Sequence, residues 1–164
     1  MKRITIGGKE YTFKFSVQAS LYNECTEMVL NNFASGGKMA AYAKENDMES
    51  TMNELIASMG NVPLKAITLF YAGLIEYHSD EVKSIEDAKK LICKYLEENK
   101  DADGNWTKSL QDVFMEMIEI MGDDNFFGLI GLDKMIQQMM QTEEDKPKRT
   151  RRKKSEVGEN TSTN

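Results

Sequence analysis

Nucleophilic chemistry in this chain would have to join His78, its only histidine, to Cys25 or Cys93, its only cysteines. In such a pair the thiolate attacks and the imidazole takes up its proton. Both cysteines fall on apolar helical stripes, however, where a thiol acts as a small, inert hydrophobe. Calcium chemistry is suggested by Asn99-x-Asp101-x-Asp103-Gly104, whose alternate oxygen-bearing side chains open like a calcium loop. Such a loop closes on a bidentate acid at its twelfth position, here Leu110, and Asn replaces Asp at its first. The expectation is a polar turn with glycine at the tight corner. Gly36-Gly37-Lys38 lacks the spacing of a phosphate-binding loop. No two carboxylates are paired in an apolar setting, as general acid–base catalysis would favour. The residues therefore assign no catalytic site, no metal ligand and no cofactor, and the chain is not read as an enzyme.

Binding chemistry is better represented. Nine of the 12 methionines gather as Met48/Met52/Met59, Met115/Met117/Met121 and Met135/Met139/Met140. Flexible, polarisable thioethers suit a surface that accommodates varied apolar partners. The first two clusters are expected to fill the core, and the third to be available to a partner. Phe126-Phe127 adds to it: adjacent helical residues point about 100° apart, so both rings rarely enter one core. Phe126, Phe127, Met135, Met139 and Met140 are accordingly the candidate partner-binding residues. The run Lys146 to Lys154 has 7 basic residues in 9. It lacks interleaved aromatics for base stacking and is flanked by Glu143-Glu144-Asp145 and Glu156, so it is read as a solvated tail and nucleic acid is not expected as a partner.

The elements that must position these residues are mostly helices. At 164 residues, with 40% hydrophobic, 29% charged and only 2 Pro, the composition is that of one helix-leaning domain. Residues 142–164 hold 7 Lys/Arg and 5 Asp/Glu; taking these from totals of 21 and 27 leaves 14 against 22, so the body carries −8 and the tail +2. Ile4 and Ile6, then Tyr11, Phe13 and Phe15, alternate across Gly7-Gly8 as in a β-hairpin, with Ile4 opposite Tyr11. Val17, Leu21, Cys25, Val29 and Phe33 predict a helix capped by Ser16 and broken at Ala34 to Gly37. A weaker helical stretch, Lys38 to Asn46, follows. Further helices are expected over Met48 to Met59, from Pro63 to His78 (the most apolar, hence central), from Ser84 to Leu96, from Thr107 to Met121, and from Asn125 to about Gln141. The tail after Gln141 has one Val and no other large apolar side chain, too little to offset the entropy of ordering it. The expected organisation is a single α-rich domain over 1–141, an N-terminal hairpin packed on a bundle of five to six helices, with a disordered basic tail over 142–164. The longest uncharged apolar run, Ala66 to Ile75, is half a membrane span, and Met1 to Lys14 holds no stretch of signal-peptide length. A cytosolic protein with no membrane partner is expected.

The layout resembles the tail assembly chaperones of long, non-contractile-tailed phages of Gram-positive bacteria. The resemblance rests on the hairpin Ile4 to Phe15 (I-x-G-G-K-E-Y-x-F-K-F) followed directly by a helix, a helical middle, and a late Phe-Phe after the amphipathic Met115 to Ile120. It covers roughly Met1 to Phe127. It implies a non-enzymatic protein of the host cytoplasm that binds the tape measure protein, keeps its hydrophobic helices soluble, helps recruit tail tube protein, and is absent from the mature virion. It also implies a C-terminal extension in a minority of copies, by ribosomal frameshift. Homo-oligomerisation stays open at this point. So do two other readings: a structural tail or connector protein, and a helical adaptor or regulator reaching nucleic acid through its basic tail.

Overall fold

The computed structural model describes residues 1–137. The expectations for Met139 and Met140, and for the tail at 142–164, lie outside them. The architecture is mostly α, with the hairpin at the N-terminus packed on a bundle of helices.

Strands β1 (Lys2–Ile6) and β2 (Lys9–Phe13) pair antiparallel with Ile4 opposite Tyr11. Gly7 and Gly8 take φ of +63° and +74°, the left-handed conformation that a two-residue turn requires of both residues. The hairpin buries Ile4, Ile6, Phe13 and Phe15, since two strands alone are marginal in water. Its support is α4 (Val62–His78). The Lys14 N–H donates to the Gly73 carbonyl at 2.8 Å. A Cβ on Gly73 would lie 3.0 Å from the Phe13 ring and 3.4 Å from that of Phe15. Glycine in mid-helix is thus the residue that lets the strand end close on α4, and the Phe13 and Phe70 rings meet edge-on at 4.7 Å.

As its composition predicts, α4 is the central helix: Ala66, Leu69, Phe70, Ala72 and Leu74 are all buried. Around it pack α5 (Ile85–Glu97) and α6 (Leu110–Asp123). Ser84 caps α5 as expected, its hydroxyl accepting from the Asp87 N–H. The start of α6 corrects the sequence reading. Ser109, not Thr107, is its N-cap and forms a capping box with Asp112, while the Thr107 hydroxyl donates to the Asn99 carbonyl at 2.7 Å and closes the preceding loop.

Three helix boundaries also differ from the sequence reading. The stretch Ser16 to Phe33 is not one helix: Ser16 caps α1 (Val17–Leu21), the chain leaves helical geometry at Tyr22 (ψ 99°), and α2 (Asn23–Lys44) begins afresh. Tyr22 lies edge-on to Tyr71 at 5.3 Å. This break re-aims α1, so that Ala19 is buried while Val17 and Leu21 are exposed; Cys25 and Val29 keep their core positions. The expected break at Gly36-Gly37 is absent, and α2 runs through both glycines. Each costs about 1 kcal/mol against alanine in a helix, but α3 (Met48–Gly60) packs against α2 and supports it. The last predicted helix is interrupted: α7 (Phe126–Leu129) ends at Gly131 (φ +77°), and residues 132–137 resume as α8. No single helix among the described residues is long and apolar enough to cross a membrane. The α3–α4 pair qualifies only jointly, bent by 49°, and α4 is spent on the core.

One ion network ties hairpin to bundle. The Glu116 carboxylate accepts from Lys108 Nζ at 2.8 Å and the Tyr95 hydroxyl at 3.1 Å, and pairs with Lys2 Nζ at 2.9 Å. Burial pushes the Glu116 pKa up, but the hydrogen bonds from Lys108 and Lys2 outweigh it and hold the group below its ordinary 4.5. A carboxylate depressed on folding contributes stability above its ordinary pKa, and that contribution is lost as pH falls through the folded value. Glu116→Gln should therefore melt below wild type at pH 7, with the gap closing as pH falls below 4.5 in a series of thermal melts. A gap that widens on acidification would contradict the assignment.

Candidate partner-binding surface

Of the three candidates for nucleophilic chemistry, His78 and Cys25 are committed to structure, whereas Cys93, expected on an apolar stripe, is exposed. His78 Nε2 accepts from the Thr12 N–H at 2.9 Å and its ring lies 5.1 Å from Tyr11, fastening β2 to the end of α4. Cys25 is fully buried, and burial pushes its thiol up to about 12, whereas Cys93 is exposed. In the native protein a thiol reagent is expected to titrate Cys93 alone, with Cys25 reacting only after unfolding; two equally reactive thiols would contradict this packing. The Asp101 carboxylate accepts from the N–H groups of Asp103 (3.0 Å) and Asn105 (2.8 Å), with Gly104 at φ +82°. This is the geometry of a polar turn: the side chain at the third position of the calcium-like run binds the backbone N–H groups that follow it.

Of the predicted partner-binding residues, Phe126 needs correcting. It is fully buried, edge-on to Phe15 at 5.6 Å. The short α7 turns this ring inward beneath the hairpin, so it anchors the core and offers nothing to a partner. Phe127, about 100° round the helix, is half-buried. With Val29, Phe33, Ile118, Leu132 and Ile136 it lines an apolar groove of about 260 Å³ between α2, α6 and α8. Met135 is exposed. The structure thus separates the two rings, as their adjacency required.

The largest apolar exposure lies where the sequence reading expected core. The second half of α2 and all of α3 contribute no buried residue. They form a helical hairpin standing off the bundle. Asn46 in the left-handed region (φ +58°) makes the tight turn, and the Asp47 side chain caps α3 by accepting the Ser50 N–H at 3.0 Å. At the base, Lys65 Nζ of α4 donates to Asn32 Oδ1 of α2 (3.0 Å) and Ser58 Oγ of α3 (3.3 Å). Burial there holds the lysine below its ordinary pKa.

Within that hairpin α3 is turned inside out. Its half-buried residues include Thr51, Glu54 and Ser58, a polar strip at the helical spacing of three and four. Met48, Met52, Leu55, Ile56 and Met59 are between 41% and 75% exposed. At 100° per residue, Met48, Met52, Leu55 and Met59 fall within about 60° of arc, with Ile56 beside them. An amphipathic helix on a soluble domain ordinarily turns its apolar stripe to the core. Here the stripe faces outward, which corrects the core-filler reading of Met48, Met52 and Met59. The second methionine cluster is mostly core, since Met117 and Met121 are fully buried and only Met115 is exposed.

Comparison of the chain with protein-family models, with curated proteins and with solved structures finds no match.

Proposed function

We propose that the chain is a tail assembly chaperone of a long, non-contractile-tailed phage, a non-enzymatic protein that acts in the host cytoplasm and leaves before the virion is complete. Its client is the tape measure protein. One observation supports this most: α3 shows a contiguous apolar stripe to solvent, while its half-buried residues include the polar Thr51, Glu54 and Ser58. Contiguous apolar surface of this size on a soluble protein marks an interaction site. An exposed helix carrying a seam of Met, Leu and Ile is suited to lie against another amphipathic helix, as in helix-in-groove recognition, and methionine lets one surface accept many such sequences. A long helical client that must stay soluble before its tube is built presents this kind of surface repeatedly. The body's charge of −8 over residues 1–141 keeps the chaperone itself dispersed. The groove at Phe127 is a second apolar feature, on a different face, and could seat a single side chain of client or of tail tube protein.

The test is co-expression with the product of the neighbouring long, helix-rich gene, followed by affinity capture. The expected result is that the large protein moves from the insoluble to the soluble fraction and co-purifies. A large protein that stays insoluble and is not captured would overturn the proposal. Capture of nucleic acid instead would favour the adaptor reading.

A further inference from the structure

We propose that the α3 seam pairs with α3 of a second copy of this chain, in an antiparallel, two-fold symmetric arrangement that covers the apolar face until a client takes its place. The exposed positions Met48, Met52, Leu55 and Met59 are spaced four, three and four apart, the alternation of a two-stranded coiled-coil seam. They are also palindromic about a point between Asn53 and Glu54. An antiparallel copy therefore sets Met48 against the partner's Met59 and Met52 against the partner's Leu55, twice each, as a self-complementary two-fold interface demands. The same operation sets Glu49 against the partner's Ser58 and Thr51 against the partner's Ile56, so no layer opposes like charges. A parallel pair would bring Glu49 beside the partner's Glu49 and align the helix dipoles unfavourably. The five exposed side chains offer roughly 500 Å² per copy, so that a pair covers roughly 1,000 Å², about the lower bound for a specific interface. The dimer shares its face with the proposed client site. Its failure would leave that reading standing, because a monomer also holds the face open.

Sedimentation equilibrium of the full chain tests this, with Met48→Lys, Met59→Glu and the double variant beside wild type. All four seam positions are exposed within one copy, so each variant should keep the wild-type helical circular-dichroism spectrum, and any drop in its melting temperature should vanish on dilution to the monomer. Wild type is expected to be a dimer at micromolar concentration. Each single substitution should raise the dissociation constant at least about tenfold by burying an unpaired charge. The double variant should return to within about threefold of wild type, because the introduced lysine of each copy then faces the introduced glutamate of the other at both ends of the seam. A monomeric wild type would overturn the proposal. So would single variants that dimerise as wild type does, or a double variant weaker than both, which is the signature of parallel pairing.

Discussion

Replacing Phe126 by alanine should lower the melting temperature by roughly 10 °C, whereas Phe127→Ala should lower it by less than half as much. Truncating a fully buried Phe costs about 3–5 kcal/mol in lost transfer and cavity energy, and a domain of this size loses roughly 3 °C for each kcal/mol. Phe126 sits edge-on to Phe15, at the point where the hairpin closes over the bundle, so the cavity would open beneath two elements. Phe127 is only half-buried at a groove mouth and has solvent to relax into. Thermal unfolding followed by circular dichroism measures both. A larger drop for Phe127 than for Phe126 would reverse the assignment of the two rings.

The second large effect concerns binding rather than stability. The double variant Met52→Ser with Ile56→Ser should weaken client capture roughly a thousandfold, with each lost apolar anchor costing about 2 kcal/mol. Compared at dilutions where both chains are monomeric, its melting temperature should stay within about 3 °C of wild type, because neither side chain is buried in the fold. An unchanged affinity in this variant, measured as the proposed client retained on the immobilised chain across a concentration series, would place the client elsewhere.

The hairpin was legible in the sequence down to its register, because Gly7-Gly8 and period-two apolar alternation leave one pairing that buries Ile4, Ile6, Phe13 and Phe15 together. The central helix was legible too, because an element apolar on most sides has nowhere else to go. The break at Tyr22 was not: the four-residue spacing of Val17, Leu21 and Cys25 runs straight through it, and the edge-on contact of Tyr22 with Tyr71 joins residues distant in sequence. Gly36-Gly37 misled in the opposite direction, since a propensity cost of about 1 kcal/mol per glycine is small beside packing against α3. The candidate surface was half legible. Periodicity identified α3 as amphipathic, but an apolar stripe announces burial without saying against what. The signal was in its neighbour: between Ala34 and Lys44 only Met39 and Tyr42 are large and apolar, too few to cover the five exposed apolar side chains of α3. Counting what was available to cover the stripe would have left it outward-facing.

Photo-crosslinking tests most directly whether α3 is the client-binding face. A benzophenone side chain would be placed at Met52 in one variant and at Phe127 in another, each co-expressed with the long helical client and irradiated in the cell. The expected result is a covalent client adduct from position 52, mapping to an apolar helical segment of the client, and far less from position 127. Adducts from position 127 with none from position 52 would contradict this and move the binding site to the groove between α2, α6 and α8.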